Sequence, residues 1–212
     1  GSVSGGQTIT LAGTGFVGVT AVTIGGVSAT SYTVVSPTRI TAVTPYRASP
    51  GLVQVQVTAV AGASDTMSLG NEFTYYGVPT VSAIDPVRVP LEGDVITVTG
   101  TNLLGVTAIS VGGTAATTFE ATSDTEITVT APARVAGTVD VRVTTPGGQS
   151  AVTSADVLRY VGPPTVTGLS RTSGLLGGGQ TVTITGTNFV DMNLETGVQF
   201  GSAAATNVTV VS

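Results

Sequence analysis

The chain has no cysteine, no histidine and no tryptophan, and all seven of its basic residues are arginine, so there is no lysine either. Each absence closes a class of chemistry. Without Cys there is no disulfide and no thiolate metal site. Without His there is no Ser-His pair and no imidazole ligand. Without Lys there is no Schiff-base chemistry, and no Lys–Asn isopeptide crosslink of the kind some surface-fibre domains use. Such a chain must hold by packing and ladder hydrogen bonds alone. Charge is scarce as well: 9% of residues are Asp, Glu, Lys or Arg, against about 25% in ordinary domains. The net charge of −5 and the pI near 4.4 argue against nucleic acid, which needs a basic face to neutralise phosphates. No apolar run approaches the roughly 18 residues of a spanning helix. No stretch within these residues reads as a signal peptide. Because the numbering opens part-way through a repeat, targeting segments are expected to lie outside this stretch.

What is present is repetition. Gly13-Thr14-Gly15-Phe16, Gly100-Thr101-Asn102-Leu103 and Gly186-Thr187-Asn188-Phe189 are one phrase written three times. The copies lie 87 and 86 residues apart (100 − 13 and 186 − 100). Each follows an alternating stretch: Thr8–Leu11, Ile96–Thr99 and Thr181–Ile184. Each precedes a second one ending in a small turn: Val22–Gly26, Ile109–Gly113 and Val198–Ser202. That period is too long for a solenoid repeat and about the size of one small β-sandwich. The branched Cβ atoms of the abundant Thr and Val suit a pleated surface.

Unit two is the complete copy. Pro79–Ile84 predicts a first strand that Pro limits to an edge. Asp85-Pro86 and Glu92-Gly93-Asp94 bracket a turn. Strands follow over Val95–Thr99 and Ala108–Val111, with Gly112-Gly113 as a tight turn. Further strands begin at Thr117 and run over Glu126–Val129. Val139, Val141 and Val143 share one face while Asp140 and Arg142 take the other. Val157–Tyr160 closes the unit. Seven short strands at this spacing, with no helical period, predict an immunoglobulin-like sandwich. Unit one agrees face by face: Ile40 and Ala42 match Ile127 and Val129, Val53, Val55 and Val57 match the three valines, and Phe73 and Tyr75 match Leu158 and Tyr160. A one-residue slip would invert every one of these side chains.

The fold class is therefore all-β: tandem immunoglobulin-like β-sandwiches arranged as beads on a string. The expected division is 1–78 (first strand missing), 79–162 (complete) and 163–212 (C-terminal half missing). Tyr75–Pro79 and Tyr160–Pro164 lead from a last strand almost directly into the next first strand. Pro restricts its own φ and the residue before it, so these joints are expected to be stiff. Unit three ends at the counterpart of Val34-Val35-Ser36. Half a sandwich leaves its core and edges exposed. Two explanations stay open: a longer array continues the chain, or a neighbouring chain supplies the missing strands.

The run 178–189, Gly-Gly-Gln-Thr-Val-Thr-Ile-Thr-Gly-Thr-Asn-Phe, followed by Val198–Gly201, resembles the IPT/TIG family of immunoglobulin-like domains. In unit two, 123–132, 137–144 and Tyr160 continue the resemblance. Gly15 departs from the Asn of the other copies, and 190–196 carries about three extra residues. The chain's tandem, acidic, Lys-free form is most similar to the bacterial cell-surface type.

Chemistry is thin. Glu92 with Asp94, and Asp124 with Glu126, stand at i and i+2 and could offer oxygens to Ca²⁺. Such a site needs six to eight oxygens, so these read first as solvated turn residues. Asp191, Asn193 and Glu195 alternate like a calcium loop but lack its turn Gly. Gly177-Gly178-Gly179 precedes no helix and reads as a turn, not a phosphate loop. Asn207-Val208-Thr209 fits a glycosylation sequon, and equally a strand. No Ser or Thr has a base to activate it, so neither enzyme activity nor a cofactor is expected. Tyr75 and Tyr160 read as packing because their position repeats. Tyr46, beside Arg47 in a loop without an aromatic counterpart in unit two, is the candidate surface contact.

These observations predict a non-enzymatic extracellular structural repeat module: a stiff spacer, stalk or fibre segment of a larger bacterial surface or secreted protein. Its partners would be neighbouring Ig-like domains of the same or adjacent chains. The alternatives are an adhesive or carbohydrate-binding module meeting surface glycans or proteins, and a phage tail or capsid-decoration component of a virion.

Overall fold

The computed structural model describes residues 1–65, 69–190 and 197–211. Asp191, Asn193 and Glu195 lie outside them.

In unit two the alternating strands pair as two sheets. One is antiparallel, with Thr118–Ser123, Glu126–Thr130, Val95–Thr101 and Thr80–Asp85 side by side. Val98 stands opposite Ile127 and Ile96 opposite Val129. The other carries Arg88–Pro90, Val157–Val161, Gly137–Thr145, Ala108–Val111 and Thr114–Ala115, with Gly148–Gln149 on its margin. Here Ile109 faces Val143 and Val111 faces Val141. Arg88–Pro90 runs parallel to Val157–Val161 and closes that edge. Because the side-chain period is two, the residues between these face water. The inward sets meet in one core with Val81, Ile84, Val89, Leu103, Leu158 and Tyr160, all buried.

Unit one repeats the plan. Thr8–Ala12, Arg39–Val43 and Ser31–Ser36 form a three-stranded sheet in which Ile9 faces Ala42 and Leu11 faces Ile40. The opposing sheet is built on Gly51–Ala59, flanked by Val19–Ile24 and Glu72–Tyr75. A smaller core joins Val22, Ile24, Ile40, Ala42, Val53, Val55 and Tyr75.

Unit three differs. Thr165–Leu169 pairs with Ile184–Thr187, and Gln199–Phe200 with Ala203–Ala204. None of its described residues is buried. The strand expected over Thr181–Ile184 begins only at Ile184. Unit two explains this: Val95 and Ile96, the counterparts of Thr181 and Val182, pair only with Glu126–Thr130, and the described residues of unit three include no counterpart of that strand. Asn207-Val208-Thr209, read as sequon or strand, is no strand either; Asn207 adopts φ 57°. Its unit-one counterpart lies in Ser31–Ser36, which forms by pairing with Arg39–Val43.

Candidate functional site at the unit joints

The second and third copies of the repeated phrase lie at the joints, where Gly, Thr and Asn grip the chain entering their own unit. Gly100 closes a bulge in the pairing of Val95–Thr101 with Thr80–Asp85. A Cβ there would collide with the Thr80 carbonyl, and one at Gly186 with the Thr165 carbonyl. The Thr101 hydroxyl meets that of Thr80 at 2.9 Å, and Thr187 meets Thr165 at 2.7 Å. Asn102 and Asn188 sit at φ 55° and 59°, a left-handed region that Asn tolerates better than most residues. Their side-chain amides donate to the linker carbonyls of Val78 and Pro163, each at 3.1 Å. In unit one Gly15 holds the same backbone conformation, φ 68°, with no amide to offer.

The first joint has further contacts. Tyr76 is held to unit one: its N–H donates to Gly1 O at 2.7 Å and its carbonyl accepts from Val3 N–H at 3.0 Å. Its ring packs where a Cβ on Gly105 of unit two would stand. The Thr145 hydroxyl donates to the Gly77 carbonyl at 3.4 Å. Gly147, in the turn after that strand, lies against the Gly77 and Tyr76 carbonyls so closely that a Cβ could not fit. Ser2 Oγ of unit one donates to the Gly147 carbonyl at 3.1 Å.

A second repeated device closes each sandwich. The Tyr75 hydroxyl donates to Pro45 O at 3.0 Å, and that of Tyr160 to Pro132 O at 2.7 Å. Two residues on, Arg47 folds back over the Tyr75 ring, 5.9 Å from its centre, and beside the Gly25 turn. Arg134 lies beside the matching Gly112 turn in unit two, donating to Val111 O at 2.9 Å and Thr114 Oγ1 at 2.6 Å. Burial raises both tyrosine pKa values, and the nearby arginine offsets this in part. Arg47 therefore has a counterpart with a packing role. Tyr46 is different: its ring is 69% exposed and Ala133 stands at its place in unit two. Sequence reasoning missed Arg134 and the proline carbonyls, although Pro-Xaa-Arg recurs at 45–47 and 132–134 at the repeat's own spacing of 87 (132 − 45).

Elsewhere the described residues hold little chemistry. No group of three acidic side chains among them could hold a metal ion. Asp94 accepts from Val95 N–H at 2.7 Å, Asp124 from Leu104 N–H at 3.3 Å, and Glu126 from the Thr122 hydroxyl at 3.0 Å. Gly177 lies in a turn, with Gly178 and Gly179 at positive φ. An open depression of about 450 Å³ is lined by Arg171, Thr172, Ser173, Gly174, Leu175 and Gln180, without a carboxylate. No helix among the described residues is long and apolar enough to cross a membrane.

The IPT/TIG domain family model matches three times, over residues 1–75, 79–160 and 164–212. The chain belongs to the IPT/TIG family. It is a tandem of these immunoglobulin-like units, as the repeated phrases predict. No curated protein matches it in sequence. Among solved structures it is similar to SGBP-B from a complex xyloglucan utilization locus in Bacteroides uniformis (20% identity, TM-score 0.35, covering 73% of this chain and 46% of that one). It is also similar to SGBP-B of the Bacteroides ovatus mixed-linkage glucan utilization locus, in complex with a mixed-linkage heptasaccharide (22%, TM-score 0.33, 81% and 47%). The plexin A4 extracellular region is a third (21%, TM-score 0.39, 96% and 17%). The chain spans about half the length of the first two. The fold rests on the family match, and likeness to these structures says nothing of what the chain binds.

Proposed function

We propose that this IPT/TIG tandem is a non-enzymatic extracellular structural module, a stiff spacer or fibre segment within a larger bacterial surface or secreted protein. The observation that carries this reading is the first joint. Only residues 76–78 separate two matched units, and Ser2, Tyr76, Gly77 and Gly147 bond or pack across them. A tether of that length with so little free backbone transmits orientation as well as distance. The residue types add to this: there is no imidazole or thiol to activate a nucleophile, and the sandwiches are filled by side chains. Small-angle scattering from the intact chain tests the reading. The expected particle is elongated, its longest dimension growing in proportion to unit number as further units are added. A compact particle overturns it.

A second reading, a glycan-binding module, rests on Tyr46. An exposed aromatic side chain offers an apolar face with a polar handle, on which a sugar ring can stack, and Tyr46 is 69% exposed. Titration with a broad glycan panel, followed by NMR at residues 45–49, tests it. Silent spectra throughout count against it.

A further inference from the structure

We infer that Asn102 and Asn188 are joint locks, positioning residues that pin the last linker residue of each joint to the following unit and so set that unit's direction. The inference rests on the spacer reading and adds its device. At the first joint, Tyr76 is bonded backbone to backbone to unit one. Val78 is bonded through its carbonyl to the Asn102 amide of unit two. Only Gly77 stands between, and its carbonyl accepts from the Thr145 hydroxyl of unit two at 3.4 Å. At the second, Val161 pairs with Pro90 of unit two, Pro163 is bonded to Asn188 of unit three, and only Gly162 stands between. Each middle residue lies close against its lock: a Cβ on Gly77 would stand 2.6 Å from the Asn102 amide carbon and force it to shift, and one on Gly162 would be a tight fit 3.3 Å from Asn188 Nδ2. Lock and glycine are thus two halves of one device.

Two joints of different sequence, Tyr-Gly-Val and Val-Gly-Pro, converge on the same 3.1 Å bond from the same left-handed residue. Local turn formation does not explain this, because Gly15 makes the same turn without the amide. What Asn adds over Gly at this position is the donor to the linker.

Unit one's glycine supplies the test, since Asn102→Gly and Asn188→Gly keep a backbone already used in this chain. The absence of cysteine makes double spin labelling clean. Thr33→Cys with Ala136→Cys spans the first joint, and Ala136→Cys with Ser173→Cys spans the second; all three positions are exposed. Pulsed electron resonance on the full chain then reads the inter-unit distance distribution. Losing one neutral hydrogen bond should raise the ratio of free to clasped joints by about fivefold, seen as a broader distribution for the joint that was altered and not for the other. Asn102→Asp, which keeps the shape but lacks the donor, should broaden the first joint as much as Asn102→Gly. A narrow wild-type distribution that stays narrow in all three variants overturns the lock while leaving the spacer standing. A wild-type distribution already broad overturns both.

Discussion

Units two and three share their opening phrases, yet the described residues of one close into a sandwich and those of the other do not. Val81 and Ile84 are 6% and 4% exposed; their counterparts Val166 and Leu169 are 62% and 45% exposed. Val111 is fully buried, whereas Phe200, at the same place, is 51% exposed. The local sequence is equally apolar in both. The difference lies in partners far along the chain: Glu126–Thr130, Gly137–Thr145 and Val157–Val161 cover these residues in unit two, and no strand among the described residues covers them in unit three. A β-sandwich core belongs to neither sheet alone, so alternation prepares a buried face and only the second sheet buries it.

That contrast can be broken most forcefully in the core. Ile127→Ala should cost about 3 kcal/mol, because a fully buried side chain is removed and a cavity left. Ile184→Ala in unit three should cost below about 1 kcal/mol, since little packing is lost. Denaturant unfolding of each variant checks the pair; equal costs would mean that unit three is packed as tightly as unit two.

Tyr160→Phe should cost about 1 kcal/mol, by removing the donor to the Pro132 carbonyl. Tyr75→Phe should behave alike in unit one. The same measurement checks both, and unequal losses would show that the two closed units rely on the latch to different degrees.

Alkali sharpens this further. Both hydroxyls ionise above their ordinary value of 10.0 because burial penalises the phenolate. Unfolding frees them to ionise at the ordinary value. Their contribution is therefore intact below about pH 10 and is lost as pH rises from there through the folded value. The unfolding midpoint should hold level to about pH 9 and fall beyond pH 10, with a smaller fall in the double Tyr→Phe variant.

The smallest effect belongs to the joint hydroxyls. Thr101→Val and Thr187→Val should each cost about 0.5 kcal/mol, the size of an exposed cross-strand pair. Similar values in the two units, measured by the same unfolding, would show that the grip on the incoming strand does not need a closed core.

Much of this was legible beforehand. The face assignments of Ile96, Val98, Ile109, Val111, Val141 and Val143 hold, because a period of two leaves each strand one inward set. The joints were legible as short and Pro-bearing. The grip was not: nothing in Gly-Thr-Asn says that its amide reaches back 24 residues to Val78, or that Arg134 folds beneath the Gly112 turn. These are contacts between distant stretches, and no local pattern encodes a partner.

By itself, then, the sequence determined the family, the all-β class, the repeat and the inward face of each strand, because strand geometry and turn chemistry are local. The tertiary structure alone decided which apolar faces are covered, which carbonyl each Asn meets and how little free backbone remains between units, because each depends on where a second, distant segment comes to rest.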